Sequence, residues 1–221
     1  MTELESARHR IARRAALELN DGDFVNLGIG IPTLVTQYIL SGVDVVFHSE
    51  NGMSAMGPPP EEGAEDHEIT NAGGDWATVR PGGAFFDTAF SFALARGGHV
   101  DVAILGALEA DALGQIASWL VPGKRAPGMG GSMDLMAGAR RVVAAMLHTD
   151  RGSPKIVERC SLPITGGGAE MIITELCVLR VTPEGLTLSE LAPGVSARDV
   201  LALTAARLIV PDHVPLMRGS R

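Results

Sequence analysis

The fold is decided by an apolar run in the middle of the chain, residues 100–106, which reads VDVAILG. Asp101, near its start, is the only charged residue in the run. A strand covered by helices on both faces is apolar at nearly every position, whereas a strand with one wet face alternates. The run therefore predicts a buried parallel strand. We interpret Asp101 as a hydrogen-bonded structural residue rather than a catalyst.

Further strand and helix patterns alternate on both sides of this run. Strands are predicted at residues 24–27, 43–48, 114–120, 141–147, 172–181 and 185–188. Apolar residues at helical spacing predict helices at residues 3–20, 34–39, 88–96 and 196–207, with another short helix within residues 150–170. Asp87 and Ser196 are the predicted N-caps of two of them. Such alternation is typical of an α/β fold. We expect one domain over residues 1–221, with a single open, mainly parallel sheet and flanking helices.

Composition and charge exclude several classes of protein. The chain has 221 residues, and its formal net charge of -8 argues against nucleic acid or an anionic membrane as the main partner. Two cysteines do not make a disulfide framework, and no Cys/His cluster has metal-ligand spacing. The sequence lacks a long apolar run and a signal-peptide pattern, so we expect a cytoplasmic protein that binds no metal.

One carboxylate stands out at the end of a predicted strand. Glu50 follows the strand at 43–48 and precedes Asn51-Gly52, a pair that favours a sharp turn. In open α/β sheets, ligands bind outside the carboxyl ends of the strands. Glu50 is therefore a candidate nucleophile or base, and on spacing alone an ordinary surface acid is the competing interpretation. His48 could form an acid–base pair with Glu50, but a turn begins between the two residues, which weakens that interpretation.

Two glycine-rich turns accompany this carboxylate. Gly28 and Gly30 follow the strand at 24–27, and Pro32 then suits the first turn of a helix. The third glycine of a dinucleotide-binding fingerprint is absent. The second turn, at residues 128–134, lets backbone approach a ligand closely. Asn26, just before the first turn, is either a buried amide that bonds the turn or a donor to a developing oxyanion.

The four arginines between residues 8 and 14 of the first helix are interpreted as a solvated face, with a partner subunit or a phosphate as the alternative. An acidic loop at residues 61–68 is either solvated or a flap over a site. On the helix at 88–96, Ala89, Phe90, Ala93 and Leu94 are expected to face inward.

Together these features fit acyl transfer through an anhydride. An ionised carboxylate can attack an electrophilic carbonyl. The oxyanion that develops needs N–H donors, which glycine turns supply without interference from side chains. This chemistry requires no metal and no redox cofactor.

A series of motifs resembles the β subunit of class I CoA-transferases, the 3-oxoacid and 3-oxoadipate group. The matching segments, in the family's order and spanning roughly residues 5–205, are 26–32 (NLGIGIP), 49–52 (SENG), 71–73 (NAG), 91–93 (SFA), 96–101 (RGGHVD), 122–124 (PGK), 128–135 (GMGGSMDL) and 160–166 (CSLPITG). Several motifs at matched separations are far more specific than one glycine pattern.

The resemblance implies roles for the matching positions. It implies that Glu50 is the catalytic glutamate, which forms a mixed anhydride and then a glutamyl-CoA thioester. It implies that Asn26 lies near the reacting groups and that the backbone N–H groups of Gly131 and Ser132 line the oxyanion site. The implied loops for CoA and substrate contain Gly28, Gly30, Asn51, Gly52 and Gly130. CoA is then a substrate, with acyl-CoA and carboxylic acids as reactants, and a separate α subunit completes a hetero-oligomer.

The chain departs from the family pattern at several positions. Ser132 replaces a usual alanine, Met53-Ser54-Ala55 stands where Leu-Leu-Gly is common, Gly74 replaces a lysine, and Ser118 replaces an asparagine. These positions are expected near the region that binds CoA or the acceptor, and they leave the glutamate in place.

Two other functions stay open at this point. One is a related hydrolase or lyase that acts on a CoA thioester. The other is a non-catalytic partner or a sugar-phosphate binder on a similar fold, since a fold does not specify a function.

Overall fold

The computed structural model describes residues 2–123 and 128–219. Four α-helices are present in this part of the chain: α1 (Glu3–Ala16), α2 (Thr88–Arg96), α3 (Ser132–Gly138) and α4 (Ala197–Leu203). A 3₁₀ helix spans Pro32–Tyr38. The strands are β1 (Phe24–Leu27), β2 (Val46–Ser49), β3 (Met53–Ser54), β4 (Val102–Leu105), β5 (Glu109–Asp111), β6 (Ile116–Ala117), β7 (Arg141–Ala145), β8 (Thr149–Asp150), β9 (Ser153–Pro154), β10 (Ile156–Val157), β11 (Met171–Ile173), β12 (Cys177–Thr182), β13 (Gly185–Leu191) and β14 (Leu208–Ile209).

The main sheet has nine strands in the order β14-β13-β12-β11-β7-β4-β1-β2-β3. The run from β11 through β7, β4 and β1 to β2 is parallel, whereas β12 and β3 pair antiparallel with their neighbours. The predicted open, mainly parallel α/β sheet is confirmed. The assignment of residues 1–221 to one domain stays a prediction.

Helices cover both faces of this sheet, and strand β4 shows why its sequence is continuously apolar. All four residues of β4 are buried. Val102 and Ile104 pack with α1, whereas Ala103 and Leu105 pack on the other face with residues of α2, α3 and α4. Period-two alternation thus divides one apolar strand between two cores. Asp101 accepts a hydrogen bond from the backbone N–H of Phe24 and pairs with Arg140, as a structural residue would.

Several predicted elements were placed differently by the structure. The strand predicted at 172–181 is a hairpin of β11 and β12, because Thr174 closes a tight turn by accepting bonds from the N–H groups of Leu176 and Cys177. The strand predicted at 114–120 is shortened to β6, which lies in a separate three-stranded sheet with β5 and β10. The predicted helices at 3–20 and 196–207 end earlier, at Ala16 and Leu203.

The prediction of a short helix within residues 150–170 is wrong. That segment forms β8, β9, β10 and a loop. The loop is held by Glu109, whose carboxylate accepts hydrogen bonds from the backbone N–H groups of Ser161 and Leu162. A distant side chain therefore satisfies the backbone that a helix would have satisfied locally. Lys124, the last residue of the motif at residues 122–124, lies outside the described residues. Within the described part of the chain, no helix is long and apolar enough to cross a membrane.

The inward face of α2 also differs from the prediction. Ser91 and Ala95 are the buried residues of this helix, while Ala89, Phe90 and Ala93 are exposed and Leu94 is half-buried. The cause is the close approach of α3: a Cβ on Gly138 would overlap the carbonyl oxygen of Ala95. A small residue, Ala95, therefore lies at the closest approach of α3, while Phe90 is exposed.

The interpretation of Arg14 as part of a solvated face is wrong. Its side chain is 1% exposed, and it donates two hydrogen bonds of 2.7 Å to Glu190 and one of 2.7 Å to Glu18. Arg141 and Arg218 bond the same Glu18, and Arg141 also bonds Glu170. This buried ion cluster joins α1 to β7, β13 and the C-terminal segment. Glu18 reaches it because the chain tightens after α1, with backbone bonds from residues 17–19 to residues 14–16.

We expect Arg14→Ala to destabilise the chain by about 3–5 kcal/mol, because it leaves two buried carboxylates without their main partner. Urea unfolding followed by circular dichroism would measure the change. Arg8→Ala, on the half-buried surface of the same helix, is the matched control and should stay within about 0.5 kcal/mol of the parent chain. Equal effects of the two substitutions would contradict the assignment.

The same cluster predicts a dependence of stability on pH. Burial, the largest single cause, would raise the pKa of Glu18 and of Glu190, but the hydrogen bonds and positive charge of Arg14, together with smaller contributions from Arg141 and Arg218, lower both pKa values from 4.5. A lowered folded-state pKa gives stability that is present above the unfolded value and is lost as pH falls through the folded value. The free energy of unfolding should therefore fall below about pH 4.5, and more steeply in the parent chain than in Arg14→Ala. Parallel curves for the two proteins would contradict this.

Candidate active site

The candidate site lies at the carboxyl ends of β1 and β2. β1 carries Asn26, and the parallel register places Asn26 beside His48 of β2. β2 ends at Ser49, and Glu50 begins the turn that leads back into β3. The backbone N–H of Gly52 donates to the carbonyl of Ser49 at 3.0 Å and closes this turn. Glu50 is half-buried, so its carboxylate lies at the sheet edge within reach of solvent.

The turn that displays Glu50 depends on Gly52. Its φ is +130°, in the region that favours glycine, and a Cβ at this position would overlap the carbonyl oxygen of Phe86. The backbone N–H of Phe86 also donates to the carbonyl of Gly52 at 3.0 Å. The segment before α2 thus presses directly against the turn, which leaves no room for a side chain.

Asn26 contacts the carboxylate directly. Its Nδ2 donates to Glu50 Oε2 at 2.9 Å and lies 3.2 Å from the carbonyl oxygen of His48. Asn26 is 1% exposed, so this hydrogen bond is largely shielded from water. Oε1 of Glu50 has no hydrogen-bond partner within residues 2–123 and 128–219. One carboxylate oxygen is held and the other is available to a reactant.

The second glycine turn also lies close to Glu50. A Cβ built on Gly131 would lie 3.2 Å from Cγ of Glu50 and 2.6 Å from the ring of Phe92. Gly131 is the N-cap of α3 and Ser132 is its first residue. The first N–H groups of a helix have no partner within that helix, so this segment presents donors beside the carboxylate. The helix itself was not predicted, since the glycines at 128–131 obscured its start.

The structure brings Asn26, Glu50 and Gly131 together, while the other predicted site residues lie around them. Gly28 packs on β4, where a Cβ would lie 3.3 Å from Cα of Leu105, and Gly30 has a φ of +94° in the following turn. Asn51 points away from the centre, because its side chain donates to the carbonyl of Thr70. Gly130 has a φ of +57° just before α3. Contacts between these four residues and the Glu50 carboxylate are not seen in the described structure.

No role was predicted from the sequence for the side chains packed behind the site, although one of the motifs contains two of them. Ser91 and Phe92 belong to the motif at 91–93. Ser91 bonds His48 through its hydroxyl, and the ring of Phe92 occupies the space beside Gly131 that a Cβ would need. Phe86 stacks with His48 at 6.1 Å between ring centroids. Their places depend on how α2 is rotated, which the apolar pattern of that helix predicted wrongly.

Three departures from the family pattern are placed by the structure. Ala55, at the position where the family often has glycine, has a φ of +52°, so its backbone is in the left-handed region at a cost of about 1–2 kcal/mol. Ser118 bonds Thr165 through its hydroxyl at 2.7 Å. Gly74 has a φ of +87°.

In the described part of the chain, no group of three or more His, Cys, Asp or Glu side chains is placed to hold a metal ion.

The fold and the site define an α/β protein that displays one carboxylate at the carboxyl edge of a parallel sheet. The family model described as coenzyme A transferase matches residues 8–203, and the chain belongs to this family. The resemblance inferred from the motifs and the expected class of enzyme are thereby confirmed.

Curated relatives match almost the whole chain. The beta subunit of acetate CoA-transferase from Escherichia coli K12 is 46% identical over 215 residues, which cover 96% of this chain and 98% of the relative. A subunit of succinyl-CoA:3-ketoacid coenzyme A transferase from Helicobacter pylori 26695 is 46% identical over 205 residues, which cover 92% and 99%. Among solved structures, an acyl-CoA transferase from E. coli O157:H7 superposes with a TM-score of 0.77 over 96% of this chain and 43% of that chain. Its identity is 24%, so this likeness shows the fold alone.

We expect Gly52→Ala to destabilise the chain by more than about 3 kcal/mol, because the new methyl group adds a clash with Phe86 to the cost of a left-handed backbone. Thermal and urea unfolding would measure the loss. Gly82→Ala is the matched control: Gly82 has a φ of +87° and nothing within 4 Å of its Cβ position, so only about 1–2 kcal/mol should be lost. If the two variants were equally stable, the contact with Phe86 would not constrain the turn.

Proposed function

We propose that this chain is the catalytic β subunit of a heteromeric CoA-transferase that moves CoA from an acyl-CoA donor, such as succinyl-CoA, to a 3-oxo acid. The observation that carries the proposal is the placement of the Glu50 carboxylate between the Asn26 amide and the start of α3 at Gly131. This arrangement supplies a nucleophile and hydrogen-bond donors in one place, which acyl transfer requires.

The first half of the reaction exchanges an acyl group for CoA on the enzyme. Oε1 of Glu50 attacks the thioester carbonyl of the donor, the C–S bond breaks, and CoA leaves as a thiolate with a mixed anhydride on Glu50. The thiolate then attacks Cδ of Glu50 and expels the donor's carboxylate. The product of this half is a glutamyl-CoA thioester on the enzyme and the free donor acid.

The second half reverses these steps with another acid. The acceptor carboxylate attacks Cδ of the glutamyl thioester and expels the CoA thiolate, which forms a second anhydride. The thiolate attacks the acyl carbonyl of the acceptor, and the C–O bond to Glu50 breaks to regenerate its carboxylate. CoA enters as a substrate throughout, and we propose no further cofactor.

Each tetrahedral intermediate carries an oxyanion that needs N–H donors. The backbone N–H groups of Gly131 and Ser132 lie at the start of α3, where helix N–H groups are unpaired and the helix dipole favours negative charge. A preorganised donor of this kind typically contributes about 10²–10³-fold to turnover. The serine at position 132 retains the N–H, so the proposed role does not depend on its side chain.

An α subunit is proposed as the partner that completes the site. Both curated relatives described above are named as single subunits of their enzymes. Large apolar side chains next to the site are also open to solvent in this chain: Phe85 is 62% exposed, Phe90 54% and Met133 52%. Apolar surface around a half-open site fits coverage by a second polypeptide. A cytoplasmic location stays a prediction.

The reconstituted α/β complex, incubated with succinyl-CoA, should carry CoA on Glu50 in the mass spectrum of its peptides. Glu50→Gln should lose the adduct and at least about 10³-fold of the turnover, as removal of a covalent nucleophile does. Glu61→Gln, in the exposed acidic loop, is the matched control and should behave like the parent. A fully active Glu50→Gln complex would refute the mechanism.

The same assay separates the acceptors and the competing function. Acetoacetate, 3-oxoadipate and acetate are supplied in turn, and we expect the 3-oxo acids to give the higher kcat/KM. A higher kcat/KM with acetate would instead favour acetate as the acceptor, the acid for which the E. coli relative is named. Hydrolysis of the acyl-CoA thioester at full rate in the absence of any acceptor acid would favour a hydrolase.

A further inference from the structure

A buried imidazole lies directly behind the proposed nucleophile, and the proposed reaction does not use it. His48 is 2% exposed and stands beside Asn26 in the parallel register of β1 and β2. Its ring packs near two phenyl rings, with centroid distances of 5.1 Å to Phe24 and 6.1 Å to Phe86. This packing holds the plane of the imidazole and directs its two nitrogens to defined neighbours.

Both ring nitrogens of His48 are within hydrogen-bond range of other side chains. Nε2 lies 2.8 Å from the hydroxyl of Ser91, which is fully buried on α2. Nδ1 lies 3.4 Å from Nδ2 of Asn26, the same nitrogen that donates to Glu50. A chain of polar contacts therefore runs from α2 through β2 and β1 to the carboxylate.

The donor capacity of Asn26 determines the tautomer of His48. A side-chain amide nitrogen has two hydrogens. One is directed at Glu50 Oε2, and the other is shared between the carbonyl oxygen and Nδ1 of His48. Nδ1 must then be the acceptor, so the proton of the neutral ring resides on Nε2 and is donated to Ser91.

The orientation of the Asn26 amide depends on these acceptors. Its Oδ1 is buried and has no hydrogen-bond partner in the described part of the chain, so nothing on that side selects the orientation. A rotated amide would place Oδ1 against the Glu50 carboxylate, the His48 carbonyl and the acceptor Nδ1. The acceptors around Nδ2 therefore keep the donor face toward Glu50.

Burial keeps the imidazole in the neutral form that this arrangement needs. It lowers the pKa of His48 from 6.5 to about 4. Among residues 2–123 and 128–219, the groups bonded to the ring are Asn26 from β1 and Ser91 from α2, both uncharged, and Asn26 links the ring to Glu50. At neutral pH, Nδ1 is thus free to accept.

We propose that His48 is a positioning residue for CoA transfer: through Nδ1 it orients the Asn26 amide, which in turn holds Oε2 of Glu50 and leaves Oε1 directed at the reactant. This inference rests on the proposed function. It concerns the geometry of attack rather than the binding of CoA. Its loss should therefore lower kcat and leave KM for the acyl-CoA nearly unchanged.

Three substitutions at His48 separate the contacts of the ring. Asparagine places an amide oxygen near the position of Nδ1 and keeps an acceptor for Asn26. Glutamine reaches Ser91 but lacks that acceptor, and phenylalanine keeps only the packing. In the reconstituted complex we expect His48→Phe and His48→Gln to lose about 10–100-fold in kcat, the scale of a misplaced reacting group, and His48→Asn to stay within about threefold of the parent.

A double substitution tests whether His48 acts through Asn26. If it does, Asn26→Ala/His48→Phe should be no slower than Asn26→Ala alone, because the residue that transmits the effect is already gone. His148→Phe is the matched control. His148 is also fully buried, bonds two threonine hydroxyls and lies just after β7, three strands from β2. It should lose stability without a specific loss of kcat per folded site.

Rates are expressed per site that can form the Glu50–CoA adduct, so that loss of folded protein does not imitate loss of positioning. Parent-like kcat in His48→Phe would overturn the proposal, and His48→Gln serves in its place if His48→Phe does not fold. Multiplicative effects in the double variant, or His48→Asn as slow as His48→Phe, would overturn it as well. Any of these results with an intact adduct on Glu50 leaves the proposed function standing. Absence of the adduct from the parent complex would instead refute that function.

Discussion

Parallel hydrogen bonding of β1 to two neighbours, β2 on one side and β4 on the other, is the constraint on which the site depends. The chain leaves β1 through the 3₁₀ helix, which packs with α1 on one face of the sheet, and reaches β4 through α2 on the opposite face. Connections on opposite faces leave a crevice at the carboxyl ends of the central strands. Asn26 and Glu50 lie at that crevice because β1 and β2 end there in register.

Close approach of backbone to backbone keeps this crevice narrow. Gly138 allows α3 to contact α2 at Ala95, Gly52 allows the segment before α2 to contact the Glu50 turn, and Gly131 leaves room for Phe92. At each of these places a methyl group would overlap or crowd its neighbour. The start of α3 therefore lies against Glu50 because three glycines remove the side chains that would separate them.

The sequence is a reliable guide where a pattern is local and a less reliable one where long-range contacts decide. It located β1, β4, β7 and the N-caps Asp87 and Ser196, because apolar runs and capping residues act within a few positions. It misjudged Arg14, because the acids that bury this arginine include Glu190, which is 176 positions away in the chain. It also misjudged the rotation of α2, because the neighbouring helix accepts only small residues there.

For the candidate site, the sequence alone determined that a carboxylate follows a strand and precedes an Asn-Gly turn, and that two glycine turns lie elsewhere in the chain. The motif series added the family, which the comparisons confirmed. Only the tertiary structure decided which residues meet Glu50: the register of β1 on β2 selects Asn26, and the packing of α3 on α2 selects Gly131. The physical reason is that turn chemistry acts over a few residues, whereas the contacts of a carboxylate depend on strand order and helix packing, which bring together residues 24 and 81 positions apart in the chain.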